Sequence, residues 1–174
     1  MTVETETLKT ILKSQYHAAL QMLRQSIESC PDDVWANSSH RNQFWQLAYH
    51  TLFFTHLYLQ PNDSTFRPWA EHQFGVQHED GIAGPADPES KLPLIPKPYS
   101  KRQVMDYWNF CDHMVDGAID SLNLSDAASG FGWYNCSKLE HQFISLRHIQ
   151  HHTAQLADRL RAVADVGIKW VGPH

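Results

Sequence analysis

The stretch from about Asn42 to Leu59 constrains the fold more than any other part of the chain. Phe44, Trp45, Leu47, Ala48, Leu52, Phe53, Phe54, Leu57 and Leu59 leave it apolar nearly all round. A helix without a polar face is buried between other elements, so the rest of the chain must supply partners on several sides. Three further stretches have helical character. The first runs from about Glu6 to Ser29, with Leu8, Ile11, Leu12, Ala19, Met22, Leu23 and Ile27 at helical spacings. Pro31 ends it, because the residue before a proline is pushed out of helical angles. Another starts at the cap Ser100, with Gln103 in the capping-box position, and reaches about Leu122. The last spans about Ser137 to Val163, with Glu140 three residues after its cap. Alternating β-branched runs are nearly absent. The expected fold is all-α: an antiparallel four-helix bundle, one domain over residues 1–174.

The second and third of these helices are joined by an unusually long connection. Residues 61–99 hold seven of the nine prolines and three of the eight glycines, which no long helix survives. Phe66, Trp69, Phe74 and Ile82 are nevertheless too apolar for a free linker. An ordered excursion over the bundle is expected, with a short helix near Trp69 to Phe74. Connections of this length in compact domains are often functional. The loop from Asn123 to Ser137 carries Phe131, Trp133 and Tyr134 beside a glycine turn.

Charge and cysteine usage narrow the function classes. The net charge of -5 and the scattering of the 14 Lys and Arg leave no basic patch for a phosphate backbone, so no nucleic acid is expected. Met1 to Thr7 is too acidic and polar for a secretory leader, and no run approaches the ~20 apolar residues of a membrane span. Cys30, Cys111 and Cys136 show neither a disulfide framework nor C-x-x-C spacing, and a cytoplasmic setting is the simplest.

Twelve histidines are the unusual component. The densest run is Arg147-His148-Ile149-Gln150-His151-His152-Thr153-Ala154-Gln155-Leu156. His148 and His152, four apart, lie one turn apart on one helix face, the spacing of helical two-histidine metal sites. His151 sits about 100° around from His152 and is the alternative partner of His148. His152 is favoured because it borders the apolar arc near Ser145 and Leu156. Ile149 replaces the glutamate that H-E-x-x-H metalloprotease chemistry needs, so that reading is excluded. A third ligand should come from a facing helix. His50 fits best: Leu47, Phe54 and Leu57 surround it, and a buried imidazole needs a partner or a metal. His56 falls on the other side of that helix. His17 and His113 have no supporting pattern, and His40, His72, His78 and His174 read as solvated. His141 lies about 10 Å along the helix from His148, too far to share its ion.

Leu47-Ala48-Tyr49-His50-Thr51-Leu52-Phe53 and the run from His148 to Leu156 together resemble the DinB-like superfamily, the YfiT-related four-helix-bundle metalloproteins. The second motif is similar to that family's H-x-x-x-H-x-x-Q-[LI] ending. Helix order, the long connection and chain length agree, so the resemblance covers essentially the whole chain. It implies a divalent metal, nickel or zinc above others, on His50, His148 and His152, with water completing the coordination, and it implies a homodimer. Ala154 departs from the glycine many members have, and the aromatic loop through Trp133 is not general to the family.

Three neutral imidazoles leave a coordination position open, the pattern of catalytic rather than closed sites. Two function classes follow. One is a metal-dependent enzyme on a small-molecule substrate: a hydrolase, or a transferase that activates a low-molecular-weight thiol, both represented in the superfamily. The other is a binding or stress-response bundle with a structural metal. The sequence names no general acid or base. Tyr134, Glu140 and Asp112 are the polar candidates, and Arg147 or Lys138 the cations that a thiol cofactor would want.

Overall fold

The computed structural model describes residues 3–78 and 97–173. All regular structure among these residues is helical: α1 (Val3–Ser29), α2 (Asp32–Trp35), α3 (Phe44–Tyr58), α4 (Lys101–Ser121) and α5 (Lys138–Ala164), with one 3-10 turn at Asp63–Thr65. The four long helices match the four expected stretches. The short α2 was not anticipated. It forms because Pro31, which stops α1, leaves its own carbonyl free to accept the Val34 and Trp35 N–H groups, and Trp35 then anchors by donating to the Tyr99 carbonyl at 2.8 Å.

The all-round apolar stretch behaves as its composition requires. Every residue of α3 except Phe54 is buried. Its two threonine side chains are answered locally, Thr51 Oγ1 donating to the Leu47 carbonyl at 2.7 Å and Thr55 Oγ1 to the Thr51 carbonyl at 2.8 Å. α3 packs on α5 and α4, and α1 packs on the same two helices.

Chain directions follow from the contacts. Along α1, Lys13 meets Asp120, His17 meets Asp112, and Leu20 accepts from Trp108, so α1 and α4 run oppositely. Along α3, the Asn42 carbonyl accepts from Arg159, His50 meets His148, and the Pro61 carbonyl accepts from Lys138, so α3 and α5 also run oppositely. Tyr16 with Gln142 and Met22 with Gln150 set α1 and α5 in the same direction.

Caps fix the starts of α4 and α5. Ser100 and Gln103 form a complete capping box at α4, and Ser137 accepts the Glu140 N–H at α5. Expectations for the long connection hold only in part. Near Trp69 to Phe74 there are turns and no helix; the helical turn falls earlier, where the Asn62 side chain accepts the Thr65 N–H. Ile82 lies outside the described residues. The described part is anchored by buried Val76 and by Tyr99, whose hydroxyl donates to the Glu71 carbonyl at 2.5 Å and accepts the Gln73 N–H at 2.8 Å. No helix among the described residues is long and apolar enough to cross a membrane.

Candidate metal centre

The middle of α3 faces the middle of α5, and the facing positions are histidines. His50 Nε2 lies 3.0 Å from His148 Nε2, and His152 Nε2 lies 3.1 Å from the same atom. An ion held about 2.0–2.1 Å from each nitrogen needs nitrogens no more than about twice that distance apart, which both separations meet. Among the described residues, His50, His148 and His152 form the one cluster of three such ligands that can hold a metal ion. His50 and His152 are buried, and His148 is half-buried. His151 points outward and is exposed, so the choice between it and His152 falls to His152.

The opposite edges of two rings explain their orientation. His50 Nδ1 donates to the Gln77 carbonyl at 2.6 Å, since a carbonyl only accepts. His152 Nδ1 pairs with Gln155 Oε1 at 2.8 Å. A proton on Nδ1 leaves the lone pair on Nε2, the tautomer a metal ligand requires. Gly75, with φ of 85°, shapes the turn that brings Gln77 over His50. His148 is kept neutral: burial first, then repulsion from His152, His50 and His151, pushes its pKa down to about 3. Its Nδ1 is buried and meets no protein hydrogen-bonding group. A buried polar atom left so costs about 1–3 kcal/mol.

The donor set fits a borderline-soft divalent ion. Gln77 was not legible in the sequence, since it acts through its backbone from a turn. Gln155 stood inside the quoted motif but carried no role until the contact gave it one.

The other expected groups lie elsewhere. Asp112 and Asp116 hold the two nitrogens of His17 at 2.8 and 3.1 Å across the α1–α4 seam, a pairing the sequence reading missed. Tyr134 packs on Tyr58 and His141, and Glu140 and Arg147 are exposed. Lys138 is buried and donates to the carbonyls of Pro61 and Ser129. His56, on the far side of α3 as expected, pairs with the Tyr107 hydroxyl at 3.1 Å, and burial pushes its pKa down to about 4. His72, expected in solvent, is half-buried with Nδ1 2.7 Å from the Tyr49 hydroxyl. His113 returns to its own helix at Asn109, and His174 is outside the described residues.

Comparison of the chain with family models, curated proteins and solved structures finds no match to any of them.

Proposed function

We propose that this chain is a divalent-metal-binding protein of the DinB-like, YfiT-related kind, holding one ion on His50, His148 and His152. The observation that carries the reading is the convergence of three Nε2 atoms, two of them 3.0 and 3.1 Å from the third, with Gln77 and Gln155 setting the tautomer of two rings from behind. The bundle reading draws support from four long helices in which α1 opposes α4 and α3 opposes α5. Nickel or zinc is the proposed metal.

A metal on three imidazoles supplies a position where water or a thiol is acidified towards neutrality. The catalytic form of the proposal is therefore a hydrolase or a thiol-dependent transferase. In it the chain's own residues hold the ion and keep His148 unprotonated, and the rings of Phe54 and Tyr58 pack 5.4 and 6.3 Å from that of His148. One observation favours the second reading, a structural metal in a non-catalytic bundle: Tyr134, Glu140 and Asp112 all have their places away from the cluster.

Metal analysis of untagged protein tests the site. Wild type should carry about one equivalent, and His50→Ala and His148→Ala should lose it; full retention in both variants refutes the assignment. Thermal melts of metal-loaded and metal-free protein with low-molecular-weight thiols separate the two readings. A thiol at 100 times its dissociation constant stabilises by about 2.7 kcal/mol, about 5–11 °C for a chain of this size. No metal-dependent shift at millimolar thiol removes the transferase.

A further inference from the structure

Two rows of charge form the seam between α1 and α4. Lys9, Lys13 and His17 stand at four-residue intervals along one face of α1, and Asp112, Asp116 and Asp120 at the same interval along α4. Because the helices run oppositely, the rows meet in reverse order. Lys9 Nζ donates to the Asp120 carbonyl at 2.6 Å, Lys13 Nζ pairs with the Asp120 carboxylate at 2.7 Å, and His17 lies between Asp112 and Asp116. Lysine keeps its charge throughout the physiological range. His17 is the member of its row whose side-chain type gains and loses charge near neutral pH.

The contacts of His17 decide its protonation state. Nδ1 lies 2.8 Å from Asp112 Oδ1, and Nε2 lies 3.1 Å from Asp116 Oδ1. A carboxylate only accepts, and a neutral imidazole has one N–H, so both bonds exist together only in the imidazolium. The ring is half-buried. Burial works against the charge, but the two carboxylates outweigh it and the pKa is raised. The neighbouring helices leave that balance to Asp112 and Asp116. α3 contains no acid, lysine or arginine, and its two histidines are turned to His148 and to Tyr107. α5 meets α1 through the uncharged Gln142 and Gln150. On α4 itself, His113 bonds back to the Asn109 carbonyl.

We propose that His17 is a proton-operated clasp on the α1–α4 seam. Protonated, it bridges Asp112 to Asp116. Neutral, it keeps one of the two bonds and leaves two carboxylates a turn apart on α4 without their shared cation, and like charges so placed repel. The seam is therefore tightest below the unfolded histidine pKa of about 6.5, and it loosens as pH rises through the higher value of the folded ring. Lys9 and Lys13 hold the earlier turns of α1 to Asp120, so the loosening is centred on the middle of that helix.

Nitrogen-15 NMR of the histidine rings, with urea unfolding of wild type and His17→Gln at a series of pH values from about 6 to 9, tests the clasp. The His17 ring should carry protons on both nitrogens at the acid end and titrate above about 6.5. With Asp112→Asn and Asp116→Asn together it should titrate at or below that value. His17→Gln keeps a neutral donor of similar size. The stability advantage of wild type over it should be greatest at the acid end and shrink towards the alkaline end. The limit for one proton is about tenfold in the folding constant per pH unit. The other histidines titrate alike in both proteins and cancel from the difference. A His17 ring that titrates below about 6.5 overturns the proposal. So does a wild-type advantage that stays constant with pH, the mark of a merely structural contact. If His17→Gln does not fold, the ring titrations of wild type and the double Asn variant decide the matter alone.

Discussion

Replacing Gly130 by alanine asks whether the aromatic loop is locked to the end of the bundle. Gly130 has φ of 88°, a conformation that costs an L-residue about 1–2 kcal/mol. Its carbonyl accepts the Asp63 N–H. A Cβ there would overlap the Pro61 carbonyl oxygen and stand 2.9 Å from Lys138 Nζ and 3.2 Å from Asn62 Cα. Lys138 has little freedom to withdraw, because it is buried and bonded to the Pro61 and Ser129 carbonyls. Forcing a methyl into such packing costs about 1–3 kcal/mol. The two effects sum to about 2–5 kcal/mol, a large share of the roughly 5–15 kcal/mol that stabilises a domain. In a chain of this length that lowers Tm by about 4–20 °C. Urea unfolding followed by circular dichroism and tryptophan fluorescence gives the measurement. Gly132→Ala is the control, because its Cβ meets nothing within 4 Å, and it should fall within about 0.5 kcal/mol of wild type. If Gly130→Ala unfolds at the wild-type midpoint, or the control loses as much, the clash reasoning is wrong.

Two further outcomes follow from the site and the core. Gln155→Ala removes the group behind His152 Nδ1 and should weaken zinc binding about 10–100-fold with the helix content unchanged, as read by chelator competition; unaltered affinity would show that Gln155 does not orient the ligand. His56 has a folded pKa near 4 against about 6.5 unfolded, so between those values the unfolded chain binds a proton that the folded chain refuses. Stability therefore falls as pH drops through that window, by about 3 kcal/mol for this group. His56→Asn, which keeps a partner for the Tyr107 hydroxyl, should flatten the pH dependence of the urea midpoint, and an unchanged slope would refute the assignment.

What could be read from the sequence divides along physical lines. Local signals were enough for the long helices: Ser100 with Gln103 and Ser137 with Glu140 place the starts of α4 and α5, and the apolar girth of the α3 stretch requires the burial it has. The apolar arc favoured His152 over His151 and left both open, and it is tertiary burial that separates them. The groups that escaped are those whose role depends on distant chain. Gln77 acts through a carbonyl, which every residue has, so nothing in its identity marks it. His141 was judged only by its distance from His148, and its enclosure by Tyr58 and the loop residues Phe131 and Tyr134 needs tertiary placement. His17 waited on Asp112 and Asp116 from a helix about 95 residues away. The short α2 arises from the carbonyl of Pro31, the same residue that marked a helix end.

The bond from His50 to the Gln77 carbonyl has a thermodynamic consequence. Since the turn around Gln77 helps hold a ligand ring, occupancy of the centre and the position of that turn are linked, and linkage is reciprocal. A protease or an antibody that needs the turn displaced from α3 would work against the ion, and the ion would slow it by the same factor by which displacement weakens metal binding. If the imidazoles hold an ion as proposed, the turn around Gln77 becomes a readable indicator of whether they are filled.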